Sequence, residues 1–172
     1  MLFRFGAPTL SNPTSALDTL TLQWTAAPSS APLTSYRIYR TTSAGAAAST
    51  PVATVSGSTL SYTDTSVTAP ARYYYRVSAV NSAGEGARSN EVNGVPVAPT
   101  VPSAPTLTAT GQVGTIQLTW SSASSGGRAI TGYNLYRSST PSGTFSRIAT
   151  NLPTGSYQDT TIPVGTTYYY RA

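Results

Sequence analysis

The chain has 172 residues, of which 39% are apolar and only 9% are charged, and its formal net charge is +5. Cys and His are both absent, and all ten basic residues are Arg. These absences exclude disulfides, thiol nucleophiles, histidine general bases and lysine Schiff bases. The composition therefore predicts a folded β protein that is not an enzyme, and the length admits one large or two small domains.

The first five residues, MLFRF, place three large apolar side chains, Leu2, Phe3 and Phe5, ahead of the first predicted strand. This segment is too short for the core of a signal peptide, and no apolar run in the sequence reaches the length of a membrane span. If Met1 is the native start, we expect no export by the usual secretory route. The three side chains either pack on their own domain or contact another chain, so they are candidate inter-chain contacts.

Four sequence blocks occur twice, in the same order, at spacings of 95 to 97 residues. They are LTLQW and IQLTW (20–24 and 116–120), SYRIYR and GYNLYR (35–40 and 132–137), SYTDT and SYQDT (61–65 and 156–160), and RYYYR and TYYYR (72–76 and 167–171). A repeat of this length is a whole domain rather than a solenoid unit. The sequence therefore predicts two copies of one module.

Each block alternates apolar and polar residues in the manner of a half-buried strand. Leu20, Leu22 and Trp24 fall on one face of the first block, and Tyr36 and Ile38 share a face of the second. Stretches rich in Gly, Pro and Ser separate the blocks, and no segment has a convincing helical period. Short strands between turn signals predict an antiparallel sandwich of two sheets.

The order of the blocks, with RYYYR running on into VSAVNSAGEG and then SNEV, resembles the fibronectin type III domain in the form common in bacterial and phage proteins. The resemblance implies an all-β fold of two tandem, immunoglobulin-like antiparallel β-sandwiches. It also implies roles for six aromatic residues. Trp24, Trp120, Tyr36 and Tyr133 would be core residues, and Tyr73 and Tyr168 would be corner tyrosines whose hydroxyls bond back to the preceding turn.

The predicted domains are an N-terminal extension (1–6), a first module (7–97), a proline-rich linker (98–104) and a second module (105–172). Because the prolines favour extended polyproline geometry, we expect the modules to form a semi-rigid rod. The second copy stops at Ala172, in its sixth strand, so we expect it to lack its last strand. Three explanations remain open: a longer chain, a recombinant or proteolytic cut, and a strand donated by a neighbouring chain.

Carboxylates are the acid–base groups that remain, at Asp18, Asp64, Glu85, Glu91 and Asp159. Glycosidase chemistry needs two carboxylates about 5 to 10 Å apart across a cleft. Asp64 and Asp159 hold the same place in the two copies, where a short polar side chain caps a turn. Spacing suggests no partner for Glu85 or Glu91. We therefore predict no catalytic, cofactor-binding or metal-binding residue, and no cofactor.

The face of the sheet that points away from the core is a candidate docking face. If Tyr36 and Ile38 point inward, the alternation places Tyr and Arg side chains outward on neighbouring strands. The candidate residues are Arg37, Tyr39, Tyr74, Arg76, Tyr136, Tyr169 and Arg171, with Asn134 beside them in the second copy. One interpretation is cross-strand stabilisation. The other is docking, because Tyr and Arg are enriched in interface hot spots and sugars stack on exposed aromatic rings.

The first functional hypothesis is a non-catalytic structural or attachment module on the surface of an assembly, as a decoration, tail or fibre component of a tailed-phage virion. Its partners would be other protein subunits of the assembly or surface carbohydrate. The alternative is a spacer or accessory fibronectin type III pair of a secreted, extracellular bacterial polysaccharide-degrading enzyme or adhesin. The arginines are scattered singly along the sequence, so we expect no nucleic-acid binding, and we expect no membrane insertion.

Overall fold

The computed structural model of the chain describes residues 6–153 and 155–172, and the candidate contacts Leu2, Phe3 and Phe5 lie outside the described residues. All regular secondary structure in the described part is β, which confirms the predicted fold class. This part of the chain contains no helix long and apolar enough to cross a membrane. The strands are β1 (Thr14–Ala16), β2 (Thr19–Gln23), β3 (Ser35–Thr41), β4 (Ala53–Ser56), β5 (Ser61–Asp64), β6 (Tyr73–Asn81), β7 (Gly84–Arg88), β8 (Val92–Gly94), β9 (Leu107–Gln112), β10 (Thr115–Trp120), β11 (Tyr133–Ser138), β12 (Ser146–Leu152), β13 (Gly155–Asp159) and β14 (Tyr169–Arg171).

The chain divides into two compact units, unit 1 ending at Ala98 and unit 2 beginning at Pro99. Unit 1 has one sheet in the order β1-β2-β5 and a second in the order β4-β3-β6-β7, with β8 also pairing with β6. Unit 2 has sheets in the orders β13-β10-β9 and β12-β11-β14. The named strands pair antiparallel in both units, as the alternating pattern predicts.

The core of each unit is built around one Trp–Tyr pair. The rings of Trp24 and Tyr36 lie 5.5 Å apart between centroids, and those of Trp120 and Tyr133 lie 5.9 Å apart. All four side chains are buried. The Tyr36 hydroxyl accepts a hydrogen bond from the Ala27 N–H at 3.0 Å, and Tyr133 accepts one from Ala123 at the same distance. The predicted core roles of these aromatic residues are confirmed.

The stretch predicted as a linker (98–104) makes hydrogen bonds within unit 2. The Thr100 N–H donates to the Gly126 carbonyl at 2.8 Å, and the Ser103 N–H donates to the Ser124 carbonyl at 3.0 Å. This part of the stretch therefore runs along the loop between β10 and β11.

Only one of the two predicted corner tyrosines forms its bond to the preceding turn. The Tyr73 hydroxyl accepts a hydrogen bond from the Thr68 N–H at 3.1 Å, as predicted. The residue five positions before Tyr168 is Pro163, which has no N–H to donate. Within the described residues Tyr168 makes no such bond, and the Arg137 guanidinium carbon lies 4.6 Å from the centre of its ring. The prediction for Tyr168 was wrong for that reason.

A buried aspartate links the two sheets of unit 1. Asp64 ends β5 in one sheet and is fully buried. Its carboxylate accepts hydrogen bonds from Arg40 of β3 at 2.7 Å and from the Tyr75 hydroxyl of β6 at 2.9 Å, both in the other sheet. The Ser66 N–H and hydroxyl add two more bonds, at 2.9 and 2.7 Å. We call this group of four residues the unit 1 clamp.

Unit 2 repeats the same arrangement around Asp159, which ends β13 and is 1% exposed. Its carboxylate accepts from Arg137 of β11 at 2.8 Å and from the Tyr170 hydroxyl of β14 at 2.9 Å. The Thr161 N–H and hydroxyl donate at 3.1 and 2.9 Å. This is the unit 2 clamp. The predicted turn-capping role of both aspartates is confirmed, but the Arg and Tyr partners were not foreseen.

The clamps hold both carboxylates in the charged form. Burial opposes ionisation of Asp64, but hydrogen bonds from Ser66, Tyr75 and Arg40 outweigh it, so the pKa of this carboxyl lies below its usual value. The pKa of Asp159 is lowered in the same way, against burial. A lowered folded-state pKa adds stability above the ordinary Asp pKa of about 3.9. That stability is lost as the pH falls through the lowered value.

We predict that Asp64→Asn lowers the free energy of unfolding of unit 1 by about 2–3 kcal/mol at pH 7, because a buried carboxylate with four donors is replaced by an amide that cannot satisfy the Arg40 charge. Urea unfolding followed by fluorescence measures the effect. Each unit contains a single Trp, so Trp24 reports unit 1 alone in a Trp120→Phe background.

The matched control is Glu91→Gln, which removes the same charge from a more exposed ion pair with Arg76. We expect this substitution to cost less than about 1 kcal/mol. Equal losses for Asp64→Asn and Glu91→Gln would show that the clamp does not hold unit 1 together.

Candidate docking face

The strand register brings the predicted outward residues of unit 1 together on one face. Tyr39 lies opposite Arg76, and Arg37 lies opposite Ser78, in the pairing of β3 with β6. Thr41 lies opposite Tyr74 in the same ladder. Residues that are directly opposite each other share a face of the sheet. We call Arg37, Tyr39, Tyr74 and Arg76 the unit 1 face.

A carboxylate from β7 occupies the centre of the unit 1 face. Glu85 accepts hydrogen bonds from Arg37 Nη1 at 2.6 Å, the Tyr39 hydroxyl at 2.5 Å and the Ser78 hydroxyl at 2.6 Å. Burial opposes the charge of Glu85, but these three donors outweigh it, so its pKa is lowered. Sequence reasoning found no partner for Glu85, because its partners come from other strands.

Tyr39 is not available for docking. The Arg88 guanidinium carbon lies 3.7 Å from the centre of the Tyr39 ring, and only 4% of Tyr39 is exposed. The prediction of an exposed Tyr39 was therefore wrong. Alternation correctly predicted the side of the sheet on which Tyr39 lies, but β7 brings Arg88 and Glu85 over that side.

The remaining arginine of the unit 1 face is also neutralised. Arg76 Nη2 lies 3.2 Å from a Glu91 carboxylate oxygen, and Glu91 also accepts a hydrogen bond from the Gly45 N–H at 3.0 Å. Tyr74 is half-buried. The contacts of the unit 1 face thus support cross-strand stabilisation.

Unit 2 places a row of three side chains across its corresponding face. Tyr136 of β11 lies opposite Arg147 of β12 on one side and opposite Arg171 of β14 on the other. Arg147 was not among the predicted residues, although it could have been predicted as an Arg on the strand beside β11. Arg147 and Arg171 are exposed, Tyr169 is 39% exposed and Tyr136 is half-buried.

Two contacts hold side chains in place at the edges of this row. The guanidinium carbon of Arg171 lies 3.9 Å from the centre of the Phe145 ring. Asn134 accepts a hydrogen bond from the Thr150 hydroxyl at 2.7 Å. We call Asn134, Tyr136, Arg147, Tyr169 and Arg171 the unit 2 face.

The described residues offer no arrangement typical of a catalytic or metal site. No group of three or more His, Cys, Asp or Glu side chains that could hold a metal ion occurs among them. A groove of about 420 Å³ in unit 2 has no carboxylate in its lining. Its walls are Ser122, Ser125, Ile130, Thr131, Gly132, Tyr133, Leu152 and Pro153.

We predict that Tyr39→Ser destabilises unit 1 by about 2 kcal/mol or more, because the substitution removes a buried ring and a hydroxyl that satisfies Glu85. The matched control is Tyr169→Ser in unit 2, which should cost less than about 1 kcal/mol because Tyr169 is 39% exposed, against 4% for Tyr39. Urea unfolding of each unit through its own Trp measures both. Small, equal effects would contradict a structural role for Tyr39.

Comparison with known proteins gives the chain a family. The family model for the fibronectin type III domain matches residues 8–95. Exoglucanase B from Cellulomonas fimi is 30% identical over 158 residues, which cover 87% of this chain and 13% of that protein. Amylopullulanase from Thermoanaerobacterium saccharolyticum is 38% identical over 73 residues, or 42% of this chain and 5% of that protein.

A solved Fn3-like protein from Clostridium thermocellum is 32% identical, covers 59% of this chain and 98% of its own, and aligns with a TM-score of 0.44. The chain spans only 13% and 5% of the length of the two curated relatives. Both relatives bear the names of carbohydrate-degrading enzymes, which favours the polysaccharide-degradation hypothesis, and the comparisons give the virion hypothesis no support. The family model matches just over half of the residues of this chain. The chain therefore belongs to the fibronectin type III domain family.

Proposed function

We propose that the chain is a pair of non-catalytic fibronectin type III modules that are accessory to a larger, extracellular polysaccharide-degrading protein. The observation that carries this proposal is the similarity to Exoglucanase B, which covers 87% of the chain and so extends over both units. The similarity covers only 13% of the exoglucanase. This small share is expected for accessory modules that accompany a separate catalytic domain.

The second unit is proposed as the second copy of the module. Both units pair one Trp with one Tyr in the core, and both close their sheets with an Asp that accepts from an Arg and a Tyr of the opposite sheet. In this proposal the modules occupy 7–97 and 105–172, on either side of the stretch 98–104.

The carboxylate contacts support a non-catalytic role. Asp64 and Asp159 are each saturated by four hydrogen bonds inside a clamp. Glu85 and Glu91 are each held by an Arg and by further donors. A glycosidase acid must be free to give up or receive a proton at the substrate. Contact with carbohydrate or with neighbouring protein domains would fall to the unit 2 face.

The proposal is tested by fusing the chain in frame to a glucanase catalytic domain. We expect the fusion to release more reducing sugar from insoluble polysaccharide than the catalytic domain alone, with equal rates on a soluble glucan. The chain by itself should release none, because four of its five side-chain carboxylates are held in ion pairs with arginines. An equal rate on the insoluble substrate with and without the chain would overturn the accessory role, and sugar release by the chain alone would overturn the non-catalytic role.

A further inference from the structure

We propose that Asn93 in unit 1 is a modification site, at which the side-chain amide is converted to an acid by reaction with the backbone of Gly94 and with water. This inference concerns a covalent change within unit 1 and does not rest on the proposed function. It is carried by the sequence at the site, the packing around Gly94, the exposure of β8 and the contact between Asn93 and Arg72.

The sequence at this site removes the usual obstacle to the reaction. The chain has six asparagines, and Asn93 is the one that is followed by glycine. In asparagine deamidation the backbone nitrogen of the next residue attacks the side-chain carbonyl carbon, and a side chain on that next residue hinders the approach. Gly94 has no side chain, so Asn93 is the asparagine of this chain whose amide is easiest to attack.

The fold requires glycine at position 94. A Cβ atom there would lie 2.9 Å from Cδ2 of Leu20 and 2.9 Å from Cγ of Pro13. Leu20 is fully buried in the core of unit 1, so it cannot move aside without leaving a gap in a close-packed interior. The packing of unit 1 therefore keeps the reactive Asn–Gly pair in the sequence.

The reaction consumes one water and releases one ammonia. The Gly94 nitrogen, after losing its proton to hydroxide, forms a bond to Cγ of Asn93, and the side-chain nitrogen leaves as ammonia. This step produces a cyclic imide. Water then adds to one of the two imide carbonyl carbons, and the bond from that carbon to the ring nitrogen breaks. Opening at the side-chain carbon gives aspartate, and opening at the main-chain carbon gives isoaspartate, which has one more methylene in the backbone.

The position of Asn93 in the sheet gives solvent access to the site. Asn93 is exposed and is the middle residue of β8, a strand of three residues that pairs with β6. Opening of so short a strand breaks few hydrogen bonds, and local opening of this kind costs far less free energy than global unfolding. Such an opening would free both the Gly94 nitrogen and the Asn93 side chain for ring closure.

Arg72 restrains the amide before the reaction and accommodates the acid after it. Its Nη1 donates a hydrogen bond to Oδ1 of Asn93, and this bond opposes the side-chain rotation that ring closure needs. An aspartate at the same place would offer Arg72 a carboxylate, and a charge-assisted hydrogen bond is stronger than one to an amide. Isoaspartate would instead lengthen the backbone of β8 and disturb its register with Tyr73 and Tyr75.

Peptide mapping by mass spectrometry, after incubation of the whole chain at mildly alkaline pH, tests the inference. We expect an acidic form whose added mass lies in the peptide containing Asn93, formed at least tenfold faster than at any other asparagine. Asn93→Gln should abolish this form, because a longer side chain closes the ring poorly. The matched control Asn12→Gln should change its rate less than twofold. Arg72→Ala should accelerate it at least threefold, and Trp24 fluorescence verifies that unit 1 is folded in each variant.

The products identify the route. A cyclic imide gives aspartate and isoaspartate together, whereas direct hydrolysis of the amide gives aspartate alone. A rate at Asn93 no higher than at the other asparagines would overturn the site, and aspartate without isoaspartate would overturn the attack by Gly94. An unchanged or lower rate in folded Arg72→Ala would overturn the restraint by Arg72.

Discussion

The buried carboxylate at the end of β5, and its counterpart at the end of β13, is the constraint on which the rest of each unit depends. A charge that leaves water incurs a large desolvation cost unless hydrogen bonds and an opposite charge replace the solvent. Here an arginine, a tyrosine and a Ser or Thr supply four hydrogen bonds to each carboxylate. Because the arginine and tyrosine come from the other sheet, the same bonds fix the two sheets against each other.

The clamps also bear on what the chain can do. They engage the two best-buried acids of the chain, and Glu85 and Glu91 are engaged by the arginines of the unit 1 face. The unit 2 face repeats the Tyr–Arg pairing of the unit 1 face, with Tyr136 opposite Arg171. The two units thus share a framework of clamp, core pair and cross-strand Tyr–Arg contacts.

Much of the fold could be predicted from the sequence, because each strand shows its own alternation of apolar and polar residues and the blocks are repeated in the same order. They gave the β-sandwich and the side of the sheet on which Tyr39 and Tyr136 lie, and the resemblance to the fibronectin type III domain gave the Trp and Tyr residues of the core. They could not give contacts between distant strands: Arg40 reaches Asp64 from β3, and Arg88 covers Tyr39 from β7. The N–H that bonds the Tyr73 hydroxyl has no counterpart before Tyr168, because Pro163 stands at that position, but the resemblance to Tyr73 concealed that signal.

The central claim is that the two clamps stabilise ionised carboxylates in the interior. Carbon-detected NMR titration of the side-chain carboxyls of Asp64 and Asp159 in the intact chain tests it most directly. The account predicts that both titrate below the ordinary Asp value of about 3.9, and that Tyr75→Phe raises the midpoint of Asp64 while leaving that of Asp159 unchanged. Midpoints at or above the ordinary value, as burial without sufficient donors would produce, would contradict it.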